Sequence, residues 1–141
     1  MSFKFLENIA TADLAFEAQA QSEEKLFEQA AQALTSAMVD PATIKQIRKT
    51  EISLTAVNLE DLLYDFLSEI VAIKDSDGLL FSKYQIKIKG DKGFKLQAAC
   101  FGEEINPETQ ELKDDVKAVT KHKFFVEKSG NKFRAQVILD V

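Results

Sequence analysis

The sequence predicts an α+β fold in which two amphipathic helices pack on a largely antiparallel sheet. Two segments carry apolar residues every three or four positions, and several others alternate apolar with polar residues. The predicted order is strand, helix, strand, helix and then a run of hairpins, which is typical of helices packed on an antiparallel sheet.

The first helix is predicted from one apolar stripe that recurs at helical spacing between Leu26 and Met38. Ser22 can cap its N-terminus, and the two glutamates that follow suit the positive end of the helix dipole. Pro41 disfavours helical geometry at Asp40, so the helix should end there.

The second helix has a plausible cap at Asn58 and runs to a turn in residues 75–78. Its apolar face consists of Leu62, Leu63, Phe66, Leu67, Ile70 and Val71. Burying each of these side chains contributes roughly 1.5–3 kcal/mol before entropy is counted.

The strands are predicted from alternation at residues 13–20, 52–56, 86–88 and 94–98. The last two are joined across Gly90-Asp-Lys-Gly93, which is a hairpin signal. A second hairpin pairs residues 123–127 with 132–139 and turns at Ser129-Gly-Asn131. The absence of repeats and linkers favours one domain over residues 1–141.

Charge and hydropathy argue against a nucleic-acid-binding, secreted or membrane-spanning protein. The net charge is −5, and lysines are interspersed with carboxylates. We therefore expect no strong direct binding to nucleic acid, because phosphate neutralisation needs a basic surface. The N-terminal residues lack a secretory signal pattern, and no run of ~18 apolar residues predicts a membrane span. A cytoplasmic protein is expected.

Few residues are suited to catalysis, and the familiar catalytic signatures are absent. Cys100, the only cysteine, lies in an apolar alternation and is interpreted as a buried core residue. His122, the only histidine, has no evident Ser or Cys partner. The Asp75-Ser-Asp-Gly stretch begins like a calcium loop, but Phe81 and Lys83 stand where later ligands belong. We predict that the protein is not an enzyme.

One predicted hairpin is rich in lysine. The most economical interpretation is a solvated strand face, since exposed strands carry lysine for solubility. The alternative is a surface that docks a partner. The lysines are Lys83, Lys87, Lys89, Lys92 and Lys95.

Carboxylates from both ends of the sequence form a candidate cation site. An apolar strand ends at Asp140, followed by the carboxyl group of Val141, and Asp13 begins an early strand. If these strand ends are neighbours, each like-charged pair at ~5 Å costs on the order of 3 kcal/mol at an effective dielectric near 20. A cation or a lysine would offset this repulsion, whereas a solvated strand end is the alternative. Oxygen ligands favour calcium, magnesium or manganese over zinc.

Six short motifs follow one another along essentially the whole sequence. They are Thr11-Ala-Asp13, Asp61-Leu-Leu-Tyr-Asp-Phe-Leu-Ser-Glu69, Gly78-Leu-Leu-Phe81, Gly102-Glu103, Val116-Lys-Ala-Val-Thr120 and Val137-Ile-Leu-Asp140-Val141. In these motifs and in their order, the sequence resembles the archease family.

The resemblance implies an accessory protein of an RtcB-type RNA ligase, which joins RNA ends in tRNA splicing or RNA repair. Archeases promote the ligase's guanylylation and sustain multiple turnover. In this family pattern, Asp13 and Asp140 match metal-binding aspartates, and Val141 can add an oxygen. Lys117 matches a lysine that is needed for activation. The implied cofactor is one divalent cation (Ca, Mg or Mn).

The sequence also departs from the family pattern. Ala10 stands where the family usually has a histidine before Thr-Ala-Asp, and Gln110 replaces a second usual histidine. The common Thr-Tyr-His reads Thr120-Lys-His122. These changes leave the identity of the metal open.

Two other functions are compatible with the sequence. One is a general chaperone that keeps RNA-modifying enzymes soluble. The other is an independent metal-dependent phosphoesterase, whose two-metal chemistry needs more ligands than the sequence assigns.

Overall fold

The computed structural model describes residues 1–7, 13–90 and 92–141, which form two α-helices and seven strands in two antiparallel sheets. The predicted α+β class is confirmed, and the division of the strands into two sheets is a further finding. In chain order, the elements are β1 (Ser2–Leu6), β2 (Leu14–Ala20), α1 (Glu23–Met38), β3 (Arg48–Ala56), α2 (Leu59–Asp77), β4 (Leu79–Lys89), β5 (Phe94–Glu104), β6 (Ala118–Ser129) and β7 (Lys132–Asp140).

The four-stranded sheet has the order β1-β2-β7-β6. β2 and β7 occupy its centre, and their register pairs Leu14 with Leu139. These central strands come from opposite ends of the sequence. β1, which was not among the predicted strands, pairs with β2 at one edge of the sheet.

The three-stranded sheet has the order β3-β5-β4. The predicted hairpin between β4 and β5 is confirmed, although Asp91 lies outside the described residues. The register shifts between Phe81 and Lys83. Next to this irregularity, a Cβ atom at Gly102 would lie 1.8 Å from the carbonyl oxygen of Leu80. Only glycine fits this close approach of two backbones.

The helices fill the space between the sheets, since α1 contacts β2 and β4 while α2 contacts β6 and β3. Both predicted caps are confirmed. Ser22 Oγ accepts a hydrogen bond from Lys25 N at 3.1 Å, and Asn58 Oδ1 accepts from Asp61 N at 2.8 Å. Residues 75–77 form the last turn of α2, and Gly78 ends the helix with φ +64°. Neither described helix is long and apolar enough to cross a membrane.

Residues of both helices and both sheets form one hydrophobic core. The rings of Phe27 and Phe66 stack at 6.2 Å between centroids. The hydroxyl groups of Thr35 and Tyr84 lie 2.6 Å apart, so the buried phenol has a partner. Burial raises the pKa of the fully buried Cys100 thiol to about 12. The thiol is therefore protonated at neutral pH, as expected for the core residue that the sequence predicted.

Candidate functional site

The start of β2 and the end of β7 meet at one end of the four-stranded sheet. Asp13 directly precedes the Leu14–Leu139 pair on one strand, and Asp140 directly follows it on the other. Asp13 itself lies in a bend just before β2, so both aspartates belong to the same end of the sheet, where like charges would repel at close range.

Lys117 lies at the same end of the sheet, on the other side of β7. Its backbone N–H donates to the carbonyl oxygen of Asp140 at 2.8 Å, and the next residue, Ala118, is the strand partner of Asp140. The structure thus brings together Asp13, Asp140 and Lys117, which are far apart in the sequence. The Lys117 side chain is exposed.

The segment 113–117, hereafter the connector, follows the loop after β5, passes the C-terminus of α1 and leads into β6. The N–H groups of Lys113 and Asp114 donate to the carbonyl oxygens of Met38 at 2.8 Å and Ala37 at 3.1 Å. These bonds satisfy carbonyls at the C-terminus of α1, which have no partner inside the helix. Val116 is fully buried. The backbone leading to Lys117 is therefore held in place before it reaches the sheet.

Lys74, in the last turn of α2, fixes the connector from the other side. Its side chain is 8 % exposed, and Nζ donates to the Val116 carbonyl oxygen at 2.7 Å. Nζ also lies 2.8 Å from an Asp115 oxygen and 2.7 Å from an Asp75 oxygen. An ammonium group this buried requires such partners, because its desolvation is costly.

The two pKa values of this cluster shift in opposite directions. Burial alone would lower the pKa of Lys74, but the hydrogen bonds and charges of Asp115 and Asp75 outweigh it and raise the value above 10.5. The hydrogen bond and charge of Lys74 hold the pKa of Asp115 below 3.8. Lys74 and Asp115 are therefore both charged at neutral pH.

Lys74→Met should destabilise the domain by roughly 1–3 kcal/mol, because the buried Val116 carbonyl oxygen loses its donor. It should also speed hydrogen exchange at the Lys117 amide, which depends on the connector. Both quantities are measurable by NMR and chemical denaturation. Lys113→Met, at an exposed position of the same connector, serves as the control and should change neither.

The loss of stability caused by Lys74→Met should become smaller as the pH falls into the acid range. Since the pKa of Asp115 is lowered in the folded state, its contribution is complete above about pH 4 and is lost as pH falls through the folded value. The raised pKa of Lys74 keeps its own contribution intact until strongly alkaline pH. The stability difference between wild type and variant should therefore be constant from about pH 5 to 9 and narrow in acid. A constant difference below about pH 3 would contradict the assigned pair.

A groove between α2 and β6 runs up to Lys117. It has a volume of about 250 Å³, and its lining includes Tyr64, Ser68, Asp75 and Val119 as well as Lys117. At its far end the ammonium of Lys121 lies 4.8 Å from the centre of the Tyr64 ring, a cation–π contact.

Beyond the groove, β6 carries an irregularity at residues 121–124, which lie between the pairs Thr120–Ile138 and Phe125–Gln136. Lys123 adopts φ +52°, which is uncommon for a residue with a side chain. The side-chain amide of Gln136 donates to the Lys123 carbonyl oxygen at 3.0 Å. His122 is exposed on this segment.

Of the two positions where the family usually has histidine, the structure describes only Gln110. Ala10 lies outside the described residues, as does Thr11. Gln110 is buried, and its side chain bonds within its own loop: Nε2 donates to the Glu104 carbonyl oxygen at 2.8 Å, and Oε1 accepts from Asn106 N at 2.9 Å. Gln110 therefore stabilises the loop 104–110.

The role of Lys74 was not predicted from the sequence. A signal was present, because Lys74 lies four residues after Ile70 and three after Val71, on the apolar stripe of α2. A lysine on such a stripe requires a buried partner.

The side chains at the sheet end are suited to a hard cation but do not form a complete ligand set. Across residues 1–7, 13–90 and 92–141, no three His, Cys, Asp or Glu side chains group together. Asp140, the last residue of β7, and Asp13, just before β2, supply two carboxylates at this end of the sheet. A divalent cation here would need further oxygens, which backbone carbonyls, Val141 and water can supply.

The fold defines the class to which the protein belongs: a two-helix, two-sheet domain that is shared with solved structures. The structure of protein 1598 from Methanobacterium thermoautotrophicum superposes with a TM-score of 0.86 at 36 % identity, covering 99 % of each chain. An archease from Thermotoga maritima, described as a possible chaperone, superposes with a TM-score of 0.65 at 22 % identity. It covers 94 % of this chain and 93 % of its own, and at this identity it supports the fold alone.

The sequence then identifies the family. The profile of the Archease protein family (MTH1598/TM1083) matches residues 3–141. The protein archease of Pyrococcus abyssi is 37 % identical over 133 residues, or 93 % of this chain and 94 % of the relative. That of Methanothermobacter thermautotrophicus is 36 % identical over 140 residues, or 99 % and 98 %. The chain therefore belongs to the archease family.

Proposed function

We propose that this archease activates an RtcB-type RNA ligase by promoting the ligase's guanylylation and sustaining its multiple turnover, without catalysing a reaction itself. One observation carries the proposal. Asp13, Asp140 and Lys117, which the family resemblance assigns to metal binding and activation, converge at one end of the four-stranded sheet.

The paired aspartates support a role for one divalent cation at this end of the molecule. Asp13 and Asp140 would hold the ion, and Val141 would add an oxygen; such donors suit calcium, magnesium or manganese. The C-termini of both helices contact the connector at this end of the molecule. The bound ion would supply a fixed positive charge that attracts anionic groups of the partner.

Lys117 is suited to contact the ligase or its nucleotide. Its backbone is fixed by Asp140, and the preceding connector is fixed by both helices, while its side chain is exposed. A lysine held in this way presents a point charge to a phosphate or carboxylate at reduced entropic cost.

The activator works by differential binding. It must bind the guanylylation-competent conformation of the ligase more tightly than the resting one, because equal affinity for both states would shift no population. After guanylylation the archease is released and can act on another ligase molecule.

The proposal is tested by adding this protein in substoichiometric amounts to its ligase and measuring incorporation of GMP from labelled GTP. We expect each archease molecule to promote guanylylation of several ligase molecules. No acceleration at any ratio would overturn the proposal. Asp140→Asn should weaken binding of Ca, Mg or Mn in calorimetric titrations and reduce activation, whereas Asp114→Asn, in the exposed part of the connector, serves as the matched control.

A general chaperone is the second candidate, because one solved relative is described as a possible chaperone. A holdase needs a large exposed apolar patch. Among the residues that the structure describes, the exposed large apolar side chains lie in and beside β1 and in three further segments: Met1, Phe5, Ile47, Val57 and Leu112. Suppressed aggregation of an unrelated client at stoichiometric ratios, without accelerated guanylylation, would favour the chaperone instead.

A further inference from the structure

The outer face of the three-stranded sheet is not covered by any described element. Ile52, Ile86 and Leu96 on the inner face are buried in the core, and the alternate residues point outward. The outward residues, hereafter the outer face, are Lys49, Glu51, Ser53 and Thr55 on β3, Lys83, Gln85, Lys87 and Lys89 on β4, and Lys95, Gln97, Ala99 and Phe101 on β5. All are exposed or half-buried.

The outer face is strongly basic, although the protein as a whole is acidic. Of its twelve residues, five are lysines and one is a glutamate. Glu51 pairs with Lys49 at 3.2 Å. The other four lysines form no ion pair with any described residue, while Asp91 of the adjoining hairpin lies outside that set. Lys89 stands directly opposite Lys95 in the register, and such a like-charged pair is destabilising.

The middle of the outer face is polar and slightly concave. A depression of about 500 Å³ is lined by Ser53, Gln85 and Gln97, and two carboxylates, Glu28 and Glu51, also border it. At the end of the face nearest the start of β4, the Lys83 ammonium lies 5.5 Å from the centre of the Phe101 ring. The face thus combines lysines with amides and one aromatic ring.

We propose that the outer face binds single-stranded RNA. The lysines would neutralise phosphates, while Gln85 and Gln97 offer hydrogen bonds to base edges and Phe101 offers a ring for stacking. A net negative charge opposes binding over the whole surface, but it does not oppose binding at one basic face. The proposal therefore departs from the expectation drawn from net charge alone.

Other partners fit this face less well. Protein interfaces have apolar, aromatic-rich centres and are depleted of lysine, whereas phosphate binding uses lysine directly. A membrane surface would require apolar side chains that insert between lipids, and the face offers only Ala99 and the half-buried Phe101. The choice of RNA over DNA rests on the proposed role beside an RNA ligase.

The test is fluorescence anisotropy of a labelled, unstructured oligouridylate of about 15 nucleotides, titrated with the protein over a range of salt concentrations. Binding should weaken in salt. Removing three lysines should lower the log–log salt slope by about 2, because each neutralised phosphate of a single strand contributes roughly 0.7 to that slope. The test variant is Lys87→Gln/Lys89→Gln/Lys95→Gln. The control, with the same change in net charge outside the face, is Lys4→Gln/Lys113→Gln/Lys132→Gln.

An unchanged salt slope in the test variant, or an equal loss in the control, would overturn the proposal. Tighter binding of polyglutamate or oligothymidylate than of the RNA, lost in the same variant, would also overturn it in favour of an acidic protein or DNA. Guanylylation assayed without RNA separates this inference from the proposed function. The test variant should retain full activation there, whereas absence of activation by the wild type would overturn only the proposed function.

Discussion

Lys117→Ala should abolish activation of the ligase while leaving the free energy of unfolding within about 0.5 kcal/mol of wild type. The side chain is exposed, and the bond that joins this residue to Asp140 comes from the backbone N–H, which alanine retains. Folding and the Asp13–Asp140 pair should therefore survive the substitution. Guanylylation of the ligase and thermal unfolding of the archease are measured on the same preparation.

Two further variants test whether activation requires the charge of Lys117 in particular. Lys113→Ala removes an exposed lysine from the same connector and should retain activation. Lys117→Arg keeps the charge but replaces a compact ammonium with a planar guanidinium, so partial activity would indicate a requirement for charge alone. Retained activation in Lys117→Ala would show that this charge is dispensable and would remove the residue from the proposed site.

Gly102→Ala should destabilise the protein by about 3 kcal/mol or more, because the added methyl group would overlap the Leu80 backbone at 1.8 Å. The obstacle is a carbonyl group of the paired strand, which cannot rotate away as a side chain can. For a domain of this size, such a loss should lower the melting temperature by roughly 10 °C. Calorimetry or circular dichroism would measure it.

Gly130→Ala is the matched control for Gly102→Ala. Gly130 has φ +65°, but a Cβ there would meet no atom within 4 Å. Its substitution should cost only the left-handed backbone penalty of about 1–2 kcal/mol. If Gly102→Ala proved no more destabilising than Gly130→Ala, the close approach of Leu80 would not be rigid.

The helices and hairpins were predictable because their signals are local. Ser22 and Asn58 cap helices by bonding residues three positions away, and Gly130 turns a hairpin between adjacent strands. The partition into two sheets was not predictable, because alternation at period two shows which face is buried but not which strand is the neighbour.

The candidate site was predictable only in part for the same reason. The pairing of Leu14 with Leu139 connects distant segments, so the sequence could predict the meeting of Asp13 and Asp140 only on the condition that their strands are neighbours. The contacts that hold the connector before Lys117 were not predicted. It depends on Lys74 reaching the Val116 carbonyl oxygen, a contact that only the packed tertiary structure defines.

The central position of β7 determines when the four-stranded sheet can be completed during synthesis of the chain. Most of the chain must leave the ribosome before β7 can insert between β2 and β6. A chain that ends before β7 already contains the segments of α1, α2 and the three-stranded sheet, but it lacks Asp140, to which the Lys117 backbone N–H donates. Contacts between such distant segments also form slowly. Unfinished chains therefore lack the arrangement of Asp13, Asp140 and Lys117 at this end of the sheet.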